Sequence, residues 1–395
     1  MRGETISRTW EWSPALYAPA RYRRACRYEA FVPYPIANEP IELEGRVAGV
    51  VSDAEHAIGA IDADARPALA PLARLLLRTE SIASSRIEGL QVGIRQLALA
   101  EARAGTGRRV GPTVLEVLGN IDAMELAVDR AASSSAITVD QIREIHRKLM
   151  AASPNPAIAG VVRAEQNWIG GNDYNPCGAD YVPPPPEHVH GLLEDLCEAM
   201  ADESLPPLVQ AAIVHAQFET IHQFADGNGR AGRALIHVVL RRRGIARRYV
   251  PPISMILASE LDAYIAGLED FREGRVGSWI EHFATAGARA AGLASAYLDA
   301  VDRLLDDWRV RLSDGASPRA DAAAWAIIDV LPGHPIITAP VAAAATGRSK
   351  AAIHQALIQL IECGVLEPVS AGKRNRSWEA AGLLDLLERL EGGLR

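Results

Sequence analysis

The residues best equipped for chemistry stand together in one run, HQFADGNGRAGR at positions 222–233. Gly227 and Gly229 let a backbone curl tightly and bring amide N–H groups close to a ligand. At the start of a following helix such amides form an anion-binding nest. Arg230 and Arg233 are three apart, so both can face the same anion. Asp226 offers a hard oxygen of the kind that holds Mg²⁺ beside substrate phosphates. His222, at the end of the preceding helix, suits a general base near neutral pH. A histidine alone on an apolar helix would read as a core residue; in this company it reads as a base. The set is equipment for moving a phosphoryl-type group, yet no GxxxxGK[ST] pattern and no kinase signature occurs in the chain.

These residues must be held by their neighbours in sequence. LVQAAIVHAQFETIHQF, which opens after Pro206 and Pro207, is apolar on every side, as a buried central helix is. DGNG breaks it, and AGRALIHVVLRRRG continues as a second buried helix. The basic run RRRGIARR at 241–248 reads as a solvated helix end, where cations suit the C-terminal dipole. Upstream, helices are expected over 113–131 and over 138–151, the latter opening on Thr138 and Asp140. Between Ser153 and Pro186 the chain is rich in Pro, Gly and Asn and contains two β-like pieces, NWIGG and DYVPPPP, which read as a hairpin.

Residues 1–40 read as a turn-rich, extended arm packed through Trp10, Trp12, Tyr17, Tyr22, Tyr28 and Phe31, with Pro33 and Pro35 near its end. From 40 to 110 the spacing of Val47, Val50, Val51, Ala54 and Ile58 predicts a helix, and Leu72, Leu75, Leu76, Thr79 and Ile82 a second. AGTGRR at 104–109 reads as a loop. SDGASPR at 313–319 is the expected linker to a small C-terminal module.

Length and composition set the bounds. A chain of 395 residues, 49% hydrophobic and 23% charged, has material for two or three domains with sizeable cores. Cys26, Cys177, Cys197 and Cys363 are scattered without CxxC spacing, so neither a zinc site nor a disulfide framework is expected, only reduced thiols in a cytoplasmic protein. The N-terminus lacks the apolar run of a secretion signal, and no stretch approaches the roughly 20 apolar residues that cross a bilayer, so no membrane partner is expected. A net charge of −8 argues against a protein that coats nucleic acid.

At every specified position the run 222–233 resembles the signature of the Fic family, HxFx[DE]GNGRxxR. VRAEQNWIGG at 162–171 with YVPPPP at 181–186 looks like the family's flap, a hairpin on which a target segment docks as an added strand. Asn167, Trp168, Ile169, Gly170 and Tyr181 would be its docking residues. SSRIEGL at 84–90 resembles the inhibitory motif [ST]xxxE[GN], here Ser84, Glu88 and Gly89. The resemblance implies a mainly α fold: a helical-bundle core with a β-hairpin flap and a helical N-terminal region. With the linker read at 313–319, the expected domain bounds are 1–112, 113–312 and 320–395. The activity implied is transfer of AMP from ATP, with Mg²⁺ on Asp226, to a Ser, Thr or Tyr hydroxyl of a target protein or of the chain itself. Gly227, Asn228, Gly229 and Arg230 would hold the α- and β-phosphates, Arg233 the γ-phosphate, and His222 would be the base. Glu88 would hold Arg233 and keep the enzyme quiet. Homodimers are frequent among such proteins.

Residues 336–378 read as helix, turn, helix and hairpin, and resemble a winged helix-turn-helix. Arg348 and Lys350 on the second helix, and Lys373, Arg374 and Arg376 in the wing, are the candidate DNA contacts. An alternative class follows: a DNA-binding regulator whose Fic core senses nucleotide, modifies itself or removes AMP.

Overall fold

The computed structural model describes residues 3–14, 18–64, 66–104, 109–133, 136–369 and 376–392. Two antiparallel strands come first, β1 (Gly3–Trp10) and β2 (Cys26–Pro33). Helices follow: α1 (Gly45–Asp62), α2 (Leu69–Ile87), α3 (Ile94–Ala104), α4 (Pro112–Ser133), α5 (Val139–Met150), α6 (Pro186–Ala201), α7 (Pro207–Ile221), α8 (Asn228–Arg242), α9 (Ile253–Ser259), α10 (Leu261–Glu273) and α11 (Val276–Gly315). The C-terminal part runs α12 (Ala323–Val330), β3 (Ile336–Thr338), α13 (Ala339–Thr346), α14 (Lys350–Glu362), β4 (Leu366–Pro368), β5 (Ser377–Ala380) and α15 (Leu383–Gly392). The fold is mainly helical. Among the described residues no helix is long and apolar enough to cross a membrane.

By contact density the chain forms two compact units that interleave in sequence. One comprises 1–55, 122–245 and 260–285; the other comprises 56–121, 246–259 and 286–395. In the first unit α7 is the central helix, and every residue from Leu208 to Phe218 is buried. α6 and α8 pack on it, and the Trp279 indole donates to its Ala212 carbonyl at 2.8 Å. Thr138 opens α5 as expected: its hydroxyl accepts the Gln141 amide while the Gln141 side chain accepts the Thr138 N–H, a reciprocal capping box.

The N-terminal arm is a two-stranded ribbon, not a lone extended segment. β1 and β2 pair from Gly3↔Pro33 to Trp10↔Cys26. It reaches residues 168–182 through rings, Trp10 edge-on to Trp168, Tyr22 stacked on Tyr174, and Phe31 near Tyr181. The Phe31 amide donates to the Val182 carbonyl at 2.9 Å. Tyr17 lies outside the described residues.

Two expectations need correction. Cys26 and Cys177 form a disulfide across a sequence separation of 151 residues; Cys197 and Cys363 are free. Spacing rules detect local cysteine pairs, whereas this pair is brought together by the ribbon folding onto the 172–178 turn. Nor is RRRGIARR simply a solvated end. Arg242 and Arg243 are half-buried and donate to the carbonyls of Met200, Leu205 and Glu203. They stitch the end of α8 to the loop after α6.

In the second unit α2 is buried along most of its length, from Leu69 to Ser85 on its inner face. Glu80, fully buried, accepts the Ser254 amide at 2.8 Å and the Ser254 hydroxyl. The Asn120 amide bridges the Ser81 carbonyl (2.8 Å) and the Ser85 hydroxyl (3.0 Å). Of the expected loop at 104–109, residues 105–108 lie outside the described ones. α11 continues as helix through Gly315, so Ser313–Gly315 of the expected linker are helical. Beyond it the strands order β3-β5-β4 in an antiparallel sheet with α12, α13 and α14 packed on one another. Ser349 caps α14 by accepting the Ala352 amide. Arg95 on α3 pairs with Glu379, Asp385 and Glu388, and so ties the N-terminal helices of this unit to its C-terminal elements.

Candidate active site

α7 delivers His222. The residue ends the helix in the left-handed region, φ 49° and ψ 55°, a conformation that costs an L-residue about 1–2 kcal/mol. The turn that follows is fastened twice. The Asn228 side chain accepts the Phe224 amide and donates to the Phe224 carbonyl, both at 2.8 Å. Both ends of that carboxamide are therefore used in closing the loop.

Gly227 caps α8 with φ 76°. A Cβ there would meet Met150 Sδ at 2.9 Å and His146 Nε2 at 3.3 Å, so only glycine fits. Arg230 and Arg233 rise from the first two turns of α8, 3% and 1% exposed. Asp226 differs from both. Its carboxylate accepts the Gly227 amide at 2.6 Å, but the side chain is 61% exposed and 3.9 Å from Arg230. The arrangement pairs an N-terminal amide nest with two buried guanidiniums and one reachable carboxylate.

A histidine with no assigned role supports the loop from below. His146 on α5 stacks on Phe224, ring centroids 3.6 Å apart and planes nearly parallel. Its Nδ1 accepts the Gly160 amide at 2.9 Å, which puts the ring proton on Nε2, 2.9 Å from the Asp226 carbonyl. Burial pulls its pKa down to about 4. Its only sequence signal is a histidine in line with Ile142, Ile145 and Leu149, a pattern that an ordinary core position shares.

The segment 162–186 closes over the loop. It is a hairpin whose arms are joined by the single bridge Ile169↔Tyr181, while a second bridge, Val162↔Phe224, ties it to the loop. Ile169 is 41% exposed at its edge, and the Trp168 indole donates to Asn172. The Asp180 carboxylate occupies the place a Cβ on Gly170 would take. Two of the expected docking residues point inward instead. The Tyr181 hydroxyl donates to the Thr220 carbonyl at 2.7 Å, and burial raises its pKa. The Asn167 amide donates to the carbonyls of His222 and Phe224.

α7 and α8 meet closely at Gly232. A Cβ there would lie 2.6 Å from Glu219 Oε1 and 2.9 Å from Phe218 Cδ1. His215, fully buried, is 2.8 Å from the Tyr264 hydroxyl; burial and then the Arg233 charge lower its pKa to about 3. In the second unit Ser84 is fully buried on α2, Glu88 caps that helix and Gly89 follows. Arg348, Lys350 and Arg376 are exposed, the last lying 5.4 Å over the Trp378 ring. Lys373 and Arg374 lie outside the described residues.

The described residues contain no cluster of three metal-ligating side chains. Asp226 nevertheless fits the way Mg²⁺ is commonly held, by one or two carboxylates completed by substrate phosphates.

Residues 136–240 match the Fic/DOC family, and residues 49–129 match the Fic/DOC family N-terminal region. The chain is 31% identical over 143 residues to Protein adenylyltransferase fic-1 of Caenorhabditis elegans, covering 34% of this chain and 25% of that protein. It is 31% identical over 189 residues to Protein adenylyltransferase Fic of Nematostella vectensis, covering 46% and 40%. It thus spans less than half the length of these relatives. In fold it is similar to a Fic family protein from Desulfovibrio desulfuricans, with a TM-score of 0.55 at 21% identity over 87% of this chain and 98% of that one. A Fic-domain signaling protein from Bacteroides thetaiotaomicron aligns with a TM-score of 0.50 at 20% identity over 62% and 95%. The chain thus carries a stretch similar to the Fic/DOC family at 136–240, which contains the loop at 222–233, after a stretch similar to that family's N-terminal region at 49–129.

Proposed function

We propose that the chain is a protein adenylyltransferase. The observation that carries this reading is the junction of α7 and α8, where His222 ends one helix and the capped turn at Gly227 opens the next with Arg230 and Arg233 buried behind it. The nest takes the phosphates of ATP. The amides of Asn228 and Gly229 face the α-phosphate, Arg230 the β-phosphate and Arg233 the γ-phosphate. Asp226 would hold Mg²⁺, which would neutralise phosphate charge when bound. His222 takes the proton from a Ser, Thr or Tyr hydroxyl of a target protein or of the chain itself. That oxygen attacks the α-phosphorus, an ester bond forms between the side-chain oxygen and the α-phosphorus, the bond from that phosphorus to the α,β-bridging oxygen breaks, and pyrophosphate leaves. Positioning and charge stabilisation supply most of the rate. The relatives' shared name, protein adenylyltransferase, supports the same reading.

Ser84, Glu88 and Gly89 are read as a brake in which Glu88 competes with the γ-phosphate for Arg233, since an Arg–carboxylate pair is strong and geometrically demanding. The flap is read as the docking edge, on which a target segment adds as a strand beside the exposed Ile169. The test uses the Glu88→Gly chain with ATP labelled at the α- or the γ-phosphate. Protein-bound label from α only, abolished by His222→Ala, is the expected result. Label from γ, or label that survives His222→Ala, overturns the reading.

For the C-terminal elements the proposal is a winged helix that contacts DNA through Arg348, Lys350 and Arg376. The order helix, strand, helix, helix, strand, strand and the exposure of those cations support it. Retardation of duplex DNA by the full chain at low salt, weakened by Arg348→Ala with Lys350→Ala, is expected; equal retardation by both chains counts against it.

A further inference from the structure

The left-handed backbone of His222 needs something to hold it, and three side chains of the flap bond the carbonyls around it. A helix leaves its last carbonyls without intrahelical donors. At the end of α7 the carbonyls of Thr220 and Ile221 are among these, and that of the capping His222 follows. The Tyr181 hydroxyl reaches the first at 2.7 Å, and Arg163 Nη2 reaches the second at 3.4 Å. The third, on His222 itself, accepts both Arg163 Nε at 2.9 Å and Asn167 Nδ2 at 3.1 Å.

Arg163 is only 7% exposed. Its other N–H groups go to the Glu165 carbonyl at 3.1 Å and the Pro184 carbonyl at 2.6 Å, one on each arm of the flap. Its own amide donates to the Gln223 carbonyl at 3.0 Å. One planar guanidinium therefore joins both arms of the hairpin to the negative end of α7. An ammonium cannot copy that fork, because its three donors radiate from a single atom.

We propose that Arg163 and Asn167 are positioning residues for His222, which fasten its carbonyl so that the flap and the end of the catalytic helix move as one body. This rests on the adenylyltransferase reading for its kinetic consequence, though not for its structural one. A segment that docks on the Ile169 edge is thereby registered at the base, and the flap root aligns the general base besides presenting the target. Small displacements of a reacting group lower rate steeply, about 100-fold for 1 Å, while nucleotide binding in the α8 nest depends on other residues.

The experiment uses the full chain carrying Glu88→Gly, compared with the same chain carrying Arg163→Lys or Asn167→Ala. Transfer from labelled ATP gives kcat and KM for ATP, and hydrogen exchange follows the amides of residues 222–228. The expected result is a kcat lowered about 10- to 100-fold by Arg163→Lys and less by Asn167→Ala. KM for ATP stays within about twofold, and exchange at 222–228 is faster in both variants. A purely structural role would reduce the folded fraction and leave kcat per folded molecule unchanged, and that outcome overturns the inference. If Arg163→Lys does not fold, Asn167→Ala decides alone by the same criteria. If the parent chain transfers no label, the adenylyltransferase reading fails by itself. The exchange rates then still decide the inference, and unchanged protection at 222–228 in the variants overturns it.

Discussion

The Nε2 of His146 donates to the backbone carbonyl of Asp226 across 2.9 Å, with Nδ1 held by the Gly160 amide. A buried, neutral imidazole thus spans from the end of the 156–160 turn to the loop that carries the candidate metal ligand. Replacing His146 with Ala leaves the Gly160 N–H and the Asp226 carbonyl without this partner. Unsatisfied buried groups cost about 1–3 kcal/mol each, so a loss in that range or somewhat above is expected in urea unfolding. His146→Gln, which can span part of the gap, should recover some of it.

Gly232→Ala should destabilise, against the usual helix preference for alanine. A Cβ would press on Glu219 Oε1 at 2.6 Å and Phe218 Cδ1 at 2.9 Å and push α7 from α8. Overpacking of this kind costs about 1–3 kcal/mol, more than the ~1 kcal/mol of helix propensity gained. A lowered melting temperature for the variant checks the sign directly.

The Cys26–Cys177 disulfide closes a loop with a sequence separation of 151 residues. Its loss should lower stability by about 2–4 kcal/mol. Oxidised wild type and Cys26→Ser are expected to differ by that amount in urea, and to unfold together once a thiol reductant is added. Identical curves without reductant would show that the bridge contributes nothing.

His215 carries a pH signature. In the folded chain its pKa is lowered to about 3 by burial and by Arg233, with His237 adding to the effect, while an unfolded histidine titrates near 6.5. Below about pH 6.5 the unfolded state therefore binds the extra proton, and stability falls as pH drops from there towards 3; above that window the contribution is complete. Unfolding free energy measured at pH 7, 6, 5 and 4 should fall, and His215→Asn should flatten the slope. A slope equal to that of wild type would remove His215 as its source.

What was legible in the sequence is what local geometry encodes. The run His222–Arg233 makes its turn from its own residues, with Asn228 bonding Phe224 four positions earlier and Gly227 opening the helix that contains Arg230 and Arg233. α7 could be read as buried because every face of it is apolar. Thr138 and Gln141 close a capping box within one turn. Each of these interactions spans four residues or fewer, so a pattern in the chain is enough to reveal it.

The tertiary structure alone decided the rest. Arg163 and His222 are 59 positions apart, His146 and Asp226 80, and Cys26 and Cys177 151. No periodicity links such pairs, because they meet only after whole elements have packed, and hydrophobic pattern states which face is buried without naming what it is buried against. Asn167 shows the difference within one residue. Its place in NWIGG marks a hairpin, but only packing turns its amide inward to the carbonyls of His222 and Phe224.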